Sequence, residues 1–263
     1  MRNHDTANLE QFDPQASAYL SSAVHAAGPD LAAAAALLAA QVPGGSRALD
    51  LGCGAGHLSF VLAATLPHVV AADPAPAMRA VVDAAARQRG LASRIETCAA
   101  SAHAVPFGSG HFDVVATRYS AHHWLDLTRS LAEMHRVLAL AGRLLVIDLL
   151  GDESAIVDTH LQAMELLRDP GHVRDRAASQ WHDLLRTAGF EVIEAAVFPI
   201  RLEFAPWIAR MRTPDASAAA IRRMQQDAPR EVAEALAFGD DGSFSVRTGL
   251  FWAQKRALQA SGA

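Results

Sequence analysis

Three glycines and two carboxylates stand where they would hold a charged ligand. The stretch Asp50-Leu51-Gly52-Cys53-Gly54-Ala55-Gly56 joins an apolar run to a helical pattern. Glycines at this spacing let the chain turn sharply and let a ligand approach the backbone with no Cβ in between. Cys53 serves such a turn through its backbone rather than its thiol. A dinucleotide-binding turn places its third glycine at the sixth position and keeps the helix start free of negative charge for a pyrophosphate. Here the spacing is G-x-G-x-G and Asp50 precedes it. A carboxylate there repels a pyrophosphate and suits an ammonium or a sulfonium. Asp73 ends the next apolar run, Val69-Val70-Ala71-Ala72. It lies roughly 20 residues on, as expected of a carboxylate that takes both hydroxyls of a ribose from a neighbouring strand tip. The alternative for Asp73 is a helix cap, since Asp before Pro74 is a good one. Capping leaves Asp50 and the glycines unexplained.

A second group of residues offers proton chemistry. His122 and His123, in Tyr119-Ser120-Ala121-His122-His123-Trp124, fall at the carboxyl edge of a strand, where a general base is worth roughly 10²–10⁴-fold to an acceptor that must lose a proton. The alternative is that both histidines are solvated or capping groups. Asp148 ends a later strand and either faces the same space or caps a helix. Trp124 is a substrate platform or a core residue, and His172 with Arg174 either binds an acidic acceptor or belongs to the helical region behind the sheet. Two adjacent histidines do not readily share a metal and no third ligand is spaced nearby, so no metal site is expected.

Elements that would position these groups follow from the pattern of apolar runs. Strands are expected over 48–51, 68–73, 94–99, 112–117 and 143–148, alternating with helices, which reads as a parallel sheet covered on both faces. Leu127, Leu131, Met134 and Leu138 form one apolar helical stripe that should end before Gly142. A helix over about 30–40 ends at Pro43-Gly44-Gly45, behind an arm that holds Phe12, Tyr19 and His25. Further strands are expected over 190–198 and 246–252. Between them lie helix signals at about 205–238, with a start at Thr213-Pro214-Asp215 and a break at Ala228-Pro229. An insert of roughly 40 residues exceeds ordinary loops and reads as a lid, roofed by Trp207, Ile208, Met211, Ile221 and Met224 unless these pack as core.

The 263 residues carry a formal charge of −5 and two cysteines. No dense basic cluster suggests nucleic acid, no apolar stretch reaches bilayer length, and neither a disulfide framework nor a structural zinc spacing is present. The polar start lacks a secretory pattern, which places the chain in the cytoplasm. A homodimer stays open.

Two further passages complete a resemblance. Ala100-Ser101-Ala102-His103-Ala104-Val105-Pro106-Phe107 precedes Gly110-His111-Phe112-Asp113-Val114-Val115, and Glu133-Met134-His135-Arg136-Val137-Leu138 precedes Ala141-Gly142-Arg143. From about residue 46 to 150 the chain resembles the class I S-adenosylmethionine-dependent methyltransferases, nearest to their ubiquinone/menaquinone-biosynthesis-like small-molecule branch. The resemblance implies an α/β Rossmann-like fold with a mainly parallel seven-stranded sheet and helices on both faces. It divides the chain into a helical arm (1–45), a cofactor-binding core (46–150) and a part that completes the sheet (151–263).

It also implies S-adenosylmethionine as cofactor, which carries both an ammonium and a sulfonium, and methyl transfer to a small molecule by in-line displacement. The residues that would hold the cofactor are Asp50, Gly52, Cys53, Gly54 and Gly56 in the turn, then Asp73, Pro74 and Met78 after the second strand. Ser101 and Ala102 would meet the adenine, Arg118 would lie in the floor beneath the methyl group, and Tyr19 would reach over from the arm. Where the family has an Asp for the adenine amino group this chain has Ser101, an uncharged acceptor, which shifts weight to the backbone of Ala102. Ala141 replaces the first glycine of the family's E-x-x-R-V-L-x-x-G-G passage. Competing expectations are a nicotinamide-dependent oxidoreductase, opposed by the glycine spacing and Asp50, and a module that binds the cofactor without turnover.

Overall fold

A computed structural model describes residues 3–20, 28–43 and 46–256. His25, Gly44 and Gly45 of the expected arm and turn lie outside the described residues. Short runs of Val, Ile, Leu and Ala buried on both faces form the parallel strands β1 (Arg47–Leu51), β2 (His68–Ala72), β3 (Ile95–Cys98), β4 (Phe112–Arg118) and β5 (Leu138–Leu150). Two longer strands, β6 (Phe190–Leu202) and β7 (Phe244–Lys255), complete a seven-stranded sheet in the order β3-β2-β1-β4-β5-β7-β6. Strand β7 runs antiparallel to β5 and β6, which flank it.

Because side chains alternate along a strand, each strand feeds two cores. Ala48 on β1 faces a layer with Leu38, Leu62 and Val82, from the helices Pro29–Gln41 (α3), His57–Thr65 (α4) and Pro76–Gln88 (α5). The next residue, Leu49, faces Leu131 and Met134 of α6 (Leu127–Val137) and Trp181 of α8 (Ala178–Thr187). Burying each such side chain is worth about 1.5–3 kcal/mol. The chain leaves β1 towards one face and β4 towards the other, so the carboxyl ends of these adjacent strands part and open a crevice.

The α6 stripe ends earlier than its spacing predicts. The helix stops at Val137, and Leu138 already pairs with Phe112 as the first residue of β5. A register shift follows, with Ala141 in the left-handed region at φ 60°. The insert between β6 and β7 consists of α9 (Phe204–Arg210), α10 (Asp215–Gln226) and α11 (Arg230–Leu236). Ile221 and Met224 do not roof a cavity. They join Trp207, Val232 and Leu236 in a third core against Val157 and Leu161 of α7 (Ala155–Arg168). No described helix is long and apolar enough to cross a membrane.

The arm is α1 (His4–Phe12), a 3₁₀ turn and α2 (Ala16–Leu20). Asp13 accepts the backbone N–H of Ala77 at the start of α5 (2.7 Å), and Gln11 donates to the carbonyl of Met211 beyond α9 (2.6 Å). The arm thus spans from the cofactor side of the crevice to the insert.

Candidate active site

The glycine turn is clamped onto the end of β2. The N–H groups of Gly52 and Cys53 donate to the carbonyl of Ala72 (2.8 and 3.0 Å), and that of Gly54 donates to Asp73 (2.9 Å). Gly52 sits at φ 70°, and a Cβ there would come within 2.0 Å of Ser120 Oγ, so only glycine fits. A Cβ on Gly54 would meet nothing within 4 Å, because that backbone faces open space.

Asp50 and Asp73 bracket this space from adjacent strand ends. Asp50 is buried. One carboxylate oxygen accepts from Ser59 (2.6 Å), while the other has no partner among the described residues. Burial above all, with the charge of Asp73 adding to it, lifts Asp50 from the ordinary carboxylate range to about 7, against the Ser59 hydrogen bond. Asp73 is also raised, by burial, against its hydrogen bonds from Ala75 and Gly54. The Ala75 bond (2.9 Å) realises part of the capping alternative, although the cap position of α5 is Ala75 itself. An unpartnered buried carboxylate oxygen beside open glycine backbone is a cradle for a cationic group.

A cavity of about 580 Å³ opens over these residues. The expected Tyr19, Gly52, Cys53, Gly54, Asp73, Pro74, Met78, Ser101, Ala102 and Arg118 all line it, with Asp50, His122 and His123. Gly56 and Asp148 stand back from it. Gly56 (φ 86°) caps α4, where a Cβ would lie 2.9 Å from Val82, so helix packing requires glycine there. Arg118 is paired with Asp30 (2.5 Å) and stacks on the Tyr119 ring.

Asp148 is hydrogen-bonded to His122. It accepts from the ring Nδ1 (2.6 Å) and from the backbone N–H (3.0 Å) of that residue. Burial alone would depress the imidazole, but the Asp148 carboxylate overrides it and holds His122 up to about 9. His123 is held well below the ordinary histidine range by burial and by His122. It donates to the carbonyl of Gly171 (3.1 Å) and packs edge-on against Phe12 of the arm, which is a positioning role. Trp124 lines the cavity and donates to Ser120 (3.1 Å). His172 and Arg174 do not face it. They are engaged by Gln162 (2.8 Å) and Asp158 (2.6 Å).

The other half of the cavity is walled by Leu149, Ile200, Leu202, Trp207 and Met211, with Arg168, Asp169 and Arg210 among them. Trp207 and Met211 were in the expected roof; the two arginines carried no motif. Arg210 stands three residues after Trp207 on α9, which places both on one helix face, and that spacing was the available signal.

Comparison with known proteins agrees with this geometry. The family described as a methyltransferase domain matches residues 49–146. The chain is 40% identical over 190 residues to YafE of Escherichia coli, an uncharacterized protein, covering 72% of this chain and 91% of that one. It is 40% identical over 104 residues to the demethylmenaquinone methyltransferase of Thermus thermophilus, covering 39% and 46%. The crystal structure of YcgJ from Bacillus subtilis superposes with a TM-score of 0.79 at 26% identity, over 87% of this chain and 98% of that one. With the acid-flanked glycine turn and the sheet order already in place, these matches leave one assignment: the chain belongs to the S-adenosylmethionine-dependent methyltransferases, in their ubiquinone/menaquinone-biosynthesis-like branch.

Proposed function

We propose that this chain binds S-adenosylmethionine in the Asp50/Asp73 half of the cavity and methylates a small molecule held in the half walled by β5, β6 and α9. The observation that carries the reading is the buried Asp50 oxygen with no partner among the described residues, beside the open backbone of Gly54. When bound, the cofactor supplies an already activated methyl group. The residues of this chain supply position, charge and dryness. Asp50 faces the ammonium, Asp73 the ribose hydroxyls, and Ser101 with the Ala102 backbone the adenine. The backbone of Cys53 and the side chains of Pro74 and Met78 shape the wall, and the Arg118–Asp30 pair stiffens the floor. Tyr19 and Phe12 cover the site and exclude water, which strengthens every charge inside.

His122 is the group placed to act on the acceptor. With its proton held to about pH 9 by Asp148, it is an imidazolium at neutral pH. Its charge then favours the deprotonated acceptor without removing the proton itself. Alignment of acceptor and methyl within about 3–3.5 Å lowers the barrier by several kcal/mol.

Calorimetry tests the reading. S-adenosylmethionine and S-adenosylhomocysteine are expected to bind in preference to NAD, and tighter binding of NAD than of either would overturn it. A screen of small metabolites with methyl-labelled cofactor then identifies the acceptor.

A further inference from the structure

We propose that the acceptor is an amphipathic monoanion, with an apolar body against Trp207 and Met211 and a carboxylate-type group taken by Arg210. The proposal rests on the methyltransferase reading above and deepens it.

It follows from an account of charges in the acceptor half of the cavity. His122 is answered by Asp148 at 2.6 Å. Arg168 is answered by Glu165 (3.0 Å) and also donates through Nε to the carbonyl of Trp207 (3.1 Å). Asp169 is held by the N–H of Gly171 (2.8 Å), with the uncharged His123 ring 3.8 Å away. Tyr19 donates its hydroxyl to the sulfur of Met211 (3.2 Å). Arg210 is left. No described carboxylate lies within ion-pair distance of it, and its Nε is buried with no hydrogen-bond acceptor. Glu165 is near enough for its charge to be felt, but one of its oxygens is committed to Arg168 and it does not line the cavity, whereas Arg210 does.

A part-buried guanidinium with no ion-pair partner among the described residues, and with the like charge of Arg168 near it, is unfavourable unless a ligand completes it. Its Nε and Nη groups form a planar fork that matches a carboxylate with two parallel hydrogen bonds. The fork takes one carboxylate-type group, and Arg210 is the guanidinium left to take it, since Arg168 already pairs with Glu165. Leu149, Ile200, Leu202, Trp207 and Met211 then wall the rest of the acceptor, so its body is apolar.

Octanoate and its uncharged counterpart octanamide test this as a matched pair, titrated by calorimetry into the protein saturated with S-adenosylhomocysteine. Octanoate is expected to bind at least tenfold more tightly. Arg210→Met should abolish the difference and leave S-adenosylhomocysteine affinity unchanged, and Arg210→Lys should retain part of it. Arg210→Gln replaces the Met variant if that one does not fold. Equal affinities in the parent, no binding of octanoate, or a preference that survives loss of Arg210 would each overturn the proposal. If S-adenosylhomocysteine itself fails to bind, the methyltransferase reading is what fails, and the same comparison on the ligand-free protein still decides the role of Arg210.

Discussion

At the scale of the residue, the cost of a binding group is visible in Asp50. Its folded value of about 7 stands above the unfolded 3.8. Between those values the folded chain keeps a proton that the unfolded chain has lost, so stability falls as pH rises through the window, by roughly 4 kcal/mol at most. Asp175, raised by burial from 3.8 to about 8, slopes the same way across the whole of this window, and His122, raised from 6.5 to about 9, does so above it. The informative comparison is therefore between parent and variant. Without cofactor, the parent should lose more stability than Asp50→Asn between pH 5 and 8 in urea titrations, while only the parent binds S-adenosylhomocysteine. Parallel pH profiles would show that Asp50 is not the buried, unanswered acid described. Asp73→Ala tests the neighbouring strand end. It removes the acceptor proposed for the ribose and frees the N–H groups of Gly54 and Ala75. A loss of about 1.5–3 kcal/mol in cofactor affinity is expected for a charged acceptor. Unchanged affinity in a folded variant would leave Asp73 as a clamp on the turn alone.

Elements were legible in the sequence where their signals are local. The turn from Asp50 to Gly56 and the core strands β1 to β4 announce themselves through glycine spacing and short apolar runs. The acid pair is readable because strand ends fix where side chains emerge. What escapes is set by distant partners. β6 runs to Leu202 rather than 198 and β5 begins at Leu138 rather than 143, because pairing with β7 and with Phe112 extends them past their apolar stretches. The extension of β6 is what brings Ile200 and Leu202 to the cavity. Arg210 shows its role only when every acid around it has been assigned. The early end of α6 has an energetic trace in Ala141, which holds φ 60° where the resembling family has glycine. The left-handed region costs an L-residue about 1–2 kcal/mol, and glycine returns about 0.5–1 of that through the unfolded chain. Ala141→Gly should therefore raise stability by up to about 1 kcal/mol, or Tm by roughly 2–4 °C. A lower Tm would mean that the turn is set by something other than this residue's backbone.

Across the whole molecule, the covering of the cavity is divided differently from a single lid over 205–238. Deleting that segment would remove Trp207, Ile221, Val232 and Leu236 from the third core, and losses of about 2–5 kcal/mol per large side chain would unfold the region before any gating could be read. The arm is the separable part. Helix α1 buries none of its residues, and the arm packs against the sheet domain through Leu20 and a small cluster of Ala16 with Ala75 and Met78, on which Leu9, Phe12 and Tyr19 rest. Yet it holds both sides of the cavity, through Asp13 to Ala77 and through Gln11 and Tyr19 to Met211, and it places Phe12 on His123. An element with few core contacts and several contacts around a ligand space opens at low free energy, and its closure is coupled to what the cavity contains. Removing residues 3–20 should therefore leave Tm within a few degrees of the parent but weaken S-adenosylhomocysteine by tenfold or more in calorimetry, because Tyr19 and Phe12 no longer exclude water from the Asp50 and Asp73 charges. The parent should also show slower amide exchange in the glycine turn on binding, with the arm itself gaining the most protection. A truncated chain that binds the product cofactor as tightly as the parent would show that the arm is a surface appendage and that the cavity is closed by α9 alone.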